Sequence, residues 1–237
     1  MRVGAVTTAE YLLPPLLVAF AKEHPHVKVK LGVGNRDEIV RMLAGQEVDV
    51  AIMGRPPAEL KTEAAAFARH PMAFLAAPQH PLMAKRRLTL TDIVDANLLV
   101  RERGSGTRTT LERLFKEAAI PLRIGSELSS NEAIKQMCAA GFGAAFLSLH
   151  TCGLELDAKL LAVLPMAGNP LERDWYVMHL ASRRLPQVAS AFKQFLATQG
   201  QQLILQQLRG ALGHGKTPAK KRAGAARGNA ASKAKLA

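Results

Sequence analysis

The first 53 residues alternate strand patterns with helix patterns, and this alternation constrains the fold more than any other feature. Val3–Val6 reads as a short buried strand. Tyr11–Glu23 follows as a helix, with Leu12, Leu13, Leu16, Leu17 and Phe20 at helical spacing. Pro14 and Pro15 are tolerated because they fall in its first turn, where their missing N–H groups have no helical partner to lose. His24-Pro25 stops it. Val27–Val33 alternates apolar and basic residues, as a strand exposed on one face does. Gly34-Asn35 opens a second helix through Ile39, Val40 and Leu43. Val48–Met53 is a nearly continuous apolar run, the pattern of a parallel strand covered on both faces. Such a series buries its apolar faces as an open α/β sheet.

The middle of the chain repeats the plan. Strands are expected at Met72–Ala77, Asn97–Arg101, Arg123–Leu128 and Ala144–Ser148, and a last long one at Trp175–Ala181. Helices are expected after Gly104-Ser105-Gly106, with Leu111, Leu114 and Phe115 inward, after Ser129-x-x-Glu132, which has the form of a capping box, and over Val188–Leu208. Gly141 reads as the C-terminal stop of the helix that begins near Ser129. The strand count suits two small lobes better than one sheet. Lobe I is expected over 1–75 and 176–209, and lobe II over 76–175, with crossings near Ala76 and Trp175.

Charge and cysteine content narrow the function classes. The net charge is +13, and residues 213–237 hold seven Lys and Arg with no acid among Ala, Gly, Pro and Ser. That stretch cannot bury enough apolar surface to offset its ordering entropy, so 210–237 reads as a disordered basic tail. It has no aromatic residue for stacking on bases. Two cysteines, Cys138 and Cys152, cannot staple a chain of 237 residues, which points to a reduced, cytoplasmic protein. Cys138 reads as a small core residue and Cys152 as a possible thiol without an activating neighbour. No apolar run approaches the ~18 residues of a membrane helix, and the start of the chain reads as core strand rather than a secretory signal. No metal site or cofactor is expected, and GxSxG and HExxH are both absent.

In parallel α/β sheets ligands sit beyond the carboxyl ends of the strands. The strand-to-helix turns are therefore where binding residues are sought. Arg101–Arg108 is the most informative. Gly104 and Gly106 let a ligand approach the backbone, Ser105 and Thr107 offer hydroxyls, and the next helix presents free N–H groups and a positive dipole end. With Arg101, Arg103 and Arg108 near, this is the composition of an anion site. The alternative is a simple turn with Ser105 or Thr107 as cap. Thr7 and Thr8 face the same choice between binding and capping, as does Asn35. Ser129 and Ser130 read first as caps, while Asn131 can point into a cleft. Arg36 reads first as a solvated or inter-element charge and only second as a ligand contact.

Taken as motifs, these segments resemble a family. VTTAEYLLP, His24-Pro25, VGNR at 33–36, VDVAIMGRPP at 48–57, Val100–Arg108 and SNEAIKQ at 130–136 with AGFG at 140–143 are similar to the effector-binding domain of LysR-type transcription regulators. The likeness covers about residues 2–200 and is strongest to the CbbR group, which controls Calvin-cycle (RuBisCO) operons.

The resemblance implies a periplasmic-binding-protein-like (type II) α/β fold: two Rossmann-like lobes joined by two crossover strands, with a small anionic, phosphorylated or carboxylate effector in the cleft. Carried over by motif, one wall is Thr7, Thr8, Asn35, Arg36 and Gly54, with Arg55 adjacent. The other is Glu102, Gly104, Ser105, Gly106, Thr107 and Asn131, with Arg108. Arg36, Arg55 and Arg108 are the expected cations, and Glu102 orients one of them or accepts a ligand hydroxyl. The resemblance also implies a homodimer or homotetramer, whose surface is expected on the first helix and the Val27–Val33 strand. DNA binding would come only through a winged helix-turn-helix that these residues do not contain. Two rival readings share the scaffold: a transporter's solute-binding protein, and an enzyme with Glu102 as its acid/base candidate.

Overall fold

The computed structural model describes residues 1–213, and side chains through 206. The chain runs β1 (Arg2–Val6), α1 (Leu13–Glu23), β2 (Lys30–Gly34), α2 (Arg36–Ala44), β3 (Val50–Met53), β4 (Thr62–Arg69) and β5 (Met72–Ala76). It continues α3 (Leu90–Val94), β6 (Leu99–Arg101), α4 (Gly106–Glu117), β7 (Ser126–Leu128), α5 (Asn131–Ala139), β8 (Ala145–Ser148), α6 (Gly153–Asp157), β9 (Ala162–Val163), β10 (Asp174–Leu180) and α7 (Gln187–Gly213).

Two five-stranded sheets result, ordered β2-β1-β3-β10-β4 and β7-β6-β8-β5-β9. Each has a parallel half: β1 with β2 and β3, and β6 with β7 and β8. Each is completed by antiparallel strands, β10 and β4 in the first, β5 and β9 in the second. Each sheet anchors its own lobe. In the first, Phe20 of α1 packs edge-on against Phe192 and Phe195 of α7, at centroid distances of 5.0 and 5.4 Å. Phe20 and Phe192 are fully buried, which stabilises each by roughly 2–3 kcal/mol. The second lobe packs Phe74, Phe115 and Phe146 with Leu111 on one side of its sheet, and Ile134, Cys138 and Leu147 on the other.

The chain changes sheets earlier than the sequence patterns indicate. The outward crossing falls at His70-Pro71 and the return at Glu172-Arg173, because β5 pairs with β8 and β9 and not with the first sheet. Residues 72–75 therefore go with the second lobe, and Asp174-Trp175 with the first. The two passes bond to each other: His70 N to Arg173 O at 2.7 Å, Met72 N to Leu171 O at 3.0 Å and Leu171 N to Met72 O at 2.7 Å.

Four other expectations shift. β4 carries no strand signal, yet pairs with β10 along its full length. The start of the first helix is a 3-10 turn over Thr7–Tyr11, and α1 proper begins at Leu13. The cap of α5 is Ser130, whose Oγ accepts from Ala133 N, and not Ser129. Residues 210–213 close α7 rather than begin a tail, and 214–237 lie outside the described residues.

Gly141 and Gly143 show why that motif carries two glycines. Gly141 takes φ +84°, the left-handed conformation that ends a helix. A Cβ on Gly143 would lie 2.0 Å from the carbonyl oxygen of Asn97, so backbone would have to move. Gly143→Ala is expected to lower stability by about 1–3 kcal/mol, the usual cost of overpacking, measured as a shift in the urea midpoint at constant m-value.

Candidate functional site

The carboxyl ends of β1, β2 and β3 in one lobe face that of β6 in the other across a cleft. The space between them is a cavity of about 70 Å³. One water takes roughly 10–15 Å³ on the same measure, so the cleft has room for several waters or a small polar ligand.

Three sets of residues line it. Val6 ends β1 with Thr7 and Thr8 just after it, Asn35 and Arg36 follow β2, and Met53 ends β3 with Gly54 and Arg55 just after it. Opposite them stand Ser105, Gly106, Thr107, Thr109, Thr110 and Arg113. Gly106, Thr109, Thr110 and Arg113 recur at i, i+3, i+4 and i+7, so they share one face of α4. His70, Met72 and Arg173 come from the crossover.

Local geometry shows which of these residues cap a helix and which are free of that role. Asn35 does cap α2: its side chain accepts from Glu38 N at 3.1 Å while its own N donates to Glu38 Oε2 at 2.7 Å. It lines the cavity as well. Ser105 occupies the cap position of α4 but makes no side-chain cap bond, and it is buried. The first N–H groups of α4 have no partner inside the helix. Neither Thr7 nor Thr8 caps the 3-10 turn, which Val6 precedes without a side-chain bond.

The lining contains four arginines and no Asp or Glu. Arg36 is held by Glu59 at 3.0 Å and Asp37 at 3.3 Å. Arg173 has no carboxylate partner among the described residues. It bonds to Gly54 O at 3.0 Å and to Thr110 Oγ1. Burial, with Arg113 and Arg55 nearby, lowers its pKa to about 10, so it stays cationic at neutral pH. Arg113 pairs with Glu117 at 3.7 Å, which leaves Arg55 and Arg173 without a carboxylate partner among the described residues. Hydroxyls, a helix N-terminus and these two guanidinium groups together favour an anion.

Known proteins match this architecture. The profile of the LysR substrate binding domain matches residues 1–201. The chain belongs to this LysR family. Its relatives include the RuBisCO operon transcriptional regulator of Allochromatium vinosum, 36% identical over 199 residues (84% of this chain, 66% of the relative). The CbbR regulator of Xanthobacter flavus is 40% identical over 228 residues, 92% of this chain and 68% of that protein. The chain thus spans about two thirds of the length of these relatives. Among solved structures, the regulatory domain of Synechocystis PCC6803 CcmR in complex with 2-PG (2-phosphoglycolate) superposes with a TM-score of 0.78. It is 35% identical, and the match covers 83% of this chain and 95% of that one. The effector-binding domain of QuiR in complex with shikimate shares the fold at 22% identity and TM-score 0.75. The two-lobed, type II periplasmic-binding-protein-like fold is therefore that of the LysR effector domains.

Within this LysR domain, four residues expected in the cleft lie elsewhere. Arg108 is 4% exposed and is not among the residues that line the cavity. It bonds to Glu112 at 2.6 Å, Glu127 at 3.2 Å and the carbonyl of Arg101 at 3.2 Å. Three and seven residues before Leu111 and Phe115, it lies on the core face of α4, which explains its burial. Glu102 and Asn131 hold Arg101, which is 2% exposed: Glu102 takes its Nε at 2.8 Å and Asn131 its Nη1 at 2.5 Å. Glu102 thus orients a cation outside the expected set. Arg101 also reaches Thr7 Oγ1 of the other lobe at 3.1 Å. Gly104, at φ +86°, accepts from Asp37 N at 3.2 Å and forms the rim where the lobes touch.

Residues that sequence reasoning missed are those of the crossover and the α4 face. The helical periodicity of Gly106, Thr109, Thr110 and Arg113 was the available signal. His70 and Arg173 had none, since they do not follow a parallel strand. Cys152 is buried, and burial pushes its thiol up to about 11, against a role as a reactive thiol.

Two predictions follow from these environments. Arg108→Met should lower stability by about 1–3 kcal/mol, the loss of hydrogen bonds made by a charged group and of the partner of the buried Arg101 carbonyl, and leave small-anion affinity unchanged by calorimetry. The second concerns pH. Burial depresses the pKa of His150 to about 4 and that of His70 well below 6.5, and shifts His80 and His179 the same way. Below 6.5 the unfolded chain then binds more protons than the folded one, so stability falls as pH drops from 6.5 toward about 4. Urea midpoints should show this decline, and His150→Asn should flatten it.

Proposed function

We propose that this chain is the effector-sensing domain of a LysR-type regulator of carbon-fixation genes. It binds a small phosphorylated or carboxylate acid in the inter-lobe cleft and does not turn it over. The observation that carries the reading is the cavity's charge: Arg36, Arg55, Arg113 and Arg173 beside the amino end of α4, with no carboxylate in the lining. The RuBisCO-operon relatives and the 2-PG complex of the CcmR domain support the effector class.

Nine of the residues sought at the strand ends make up most of the proposed site: Thr7, Thr8, Asn35, Arg36, Gly54, Arg55, Ser105, Gly106 and Thr107. The lobes touch through Asp37 N to Gly104 O, Arg101 to Thr7 and Tyr11 to Glu132, the last at 2.5 Å. An anion held by both walls favours this closed arrangement by its differential affinity for it.

The signal then passes to DNA-binding domains of the full-length regulator through a homodimer or homotetramer. The edge strand β2 and helix α1 expose Val18, Leu31 and Val33, with Val29 just before the strand, an apolar face suited to a second copy. Two unbridged, buried cysteines fit a reduced cytoplasm.

Calorimetry with 2-phosphoglycolate is expected to give saturable one-to-one binding, with the compound recovered unchanged. Arg173→Met is expected to weaken it by about 30-fold or more, the range for removing one partner of a buried charge pair. Absence of binding by the unmodified protein, or turnover of the compound, overturns the reading.

A further inference from the structure

Among the described residues two cavity-lining side chains bury polar atoms without a hydrogen-bond partner, Arg113 at Nε and His70 at both ring nitrogens. His70 is 4% exposed, and neither Nδ1 nor Nε2 has a hydrogen-bond partner. Buried polar groups in folded proteins are nearly always paired, so an orphan in a ligand cavity calls for a ligand. The surrounding structure keeps this ring in place without satisfying it. Its face stacks on Trp175 with centroids 3.8 Å apart and planes 14° apart. Trp175 is fixed in turn by donating Nε1–H to His150 Nδ1 at 3.1 Å. On its edge, Gly54 leaves room: a Cβ there would lie 2.9 Å from His70 Nδ1 and 3.2 Å from Cε1. That same Cβ position lies 3.9 Å from Arg173 Nη2, so the imidazole edge and the guanidinium flank one spot.

We propose that His70 is a specificity-determining residue of the cleft, donating a ring N–H to a second oxygen-bearing group of the effector beside Arg173. The inference rests on the anion-binding reading above and deepens it. A neutral imidazole carries one donor and one acceptor. With neither nitrogen bound by protein, the proton can sit on whichever one the effector meets. Burial and the neighbouring His150 and Arg173 hold the ring neutral before binding. The first anionic group takes the amino end of α4 with Ser105 and Thr107. The second, a carboxylate, takes His70 and Arg173. The cleft thus selects short acids with two oxygen-bearing ends over simple phosphates.

The test uses two probes that differ only at the second group: 2-phosphoglycolate, and ethyl phosphate, which has a methyl in place of the carboxylate. His70→Phe keeps the ring stacked on Trp175 and removes both nitrogens. Calorimetry is expected to show a ~10-fold or greater loss of 2-phosphoglycolate affinity in His70→Phe, the worth of a hydrogen bond to a charged group. Ethyl phosphate affinity should be unchanged. Equal 2-phosphoglycolate affinity in both proteins, or equal losses for both probes, overturns the assignment while leaving the cleft's anion binding in place. Unmodified protein that binds neither probe overturns the functional reading and this inference with it. Histidine ¹⁵N spectra of the unmodified protein give a second readout that does not depend on the variant's folding. The His70 ring nitrogens should shift on adding 2-phosphoglycolate and not ethyl phosphate. A spectrum that responds alike to both overturns the proposal.

Discussion

Two passes of chain, bonded side by side, join the lobes. His70 and Met72 on one pass exchange backbone hydrogen bonds with Arg173 and Leu171 on the other. Each lobe has its own sheet and its own core. The angle between the lobes is therefore set by this short antiparallel link and by the few contacts that bridge the cleft. Sequence proximity brings little else to bear on it. The rigid sheets aim their parallel strand ends at one another, and the link decides how far apart those ends stand.

The arginines divide by what surrounds them. A guanidinium out of water needs a carboxylate or several hydrogen bonds, since burial of an unpaired charge costs several kcal/mol. Arg101 and Arg108 meet that need within the protein, through Glu102 and Asn131 and through Glu112 and Glu127. Both are among the least exposed charged residues of the second lobe, and both tie β6 to its surroundings. Arg36 is engaged by Glu59. Arg173 is satisfied only by neutral groups, Gly54 O and Thr110 Oγ1. Its charge is not neutralised, and it lies on the cavity. The positive field of the cleft comes from such residues, and counting arginines in the sequence does not reveal which they are.

The α/β plan and most of the cleft were legible because both follow from short-range rules. Apolar runs mark parallel strands, and polar turns after those strands mark where ligands sit. That reasoning placed Thr7, Asn35, Gly54 and Ser105 on the cavity wall. It failed at β4, whose sequence TEAAAFAR is rich in alanine, a residue with weak strand preference; the strand exists because β10 pairs with all of it. Arg108 does not line the cavity. The spacing to Leu111 and Phe115 already put that side chain on the core face. The same reasoning was blind to His70 and Arg173 because they come from the crossover, which has no local pattern.

That blind spot coincides with the part of the molecule where position matters most. A ligand held only by the βα turns of the two lobes feels the lobe angle at a distance. A group bonded to the crossover is attached to the element that sets it. His70 joins these roles. Its backbone N–H donates to Arg173 O within the link, its ring stacks on Trp175 of the first lobe, and the residue lines the cavity. Trp175 in turn reaches His150 of the second lobe. The imidazole is thus in contact with the link, with the first lobe through the Trp175 stack at 3.8 Å and, one residue further, with the second lobe through the 3.1 Å bond to His150.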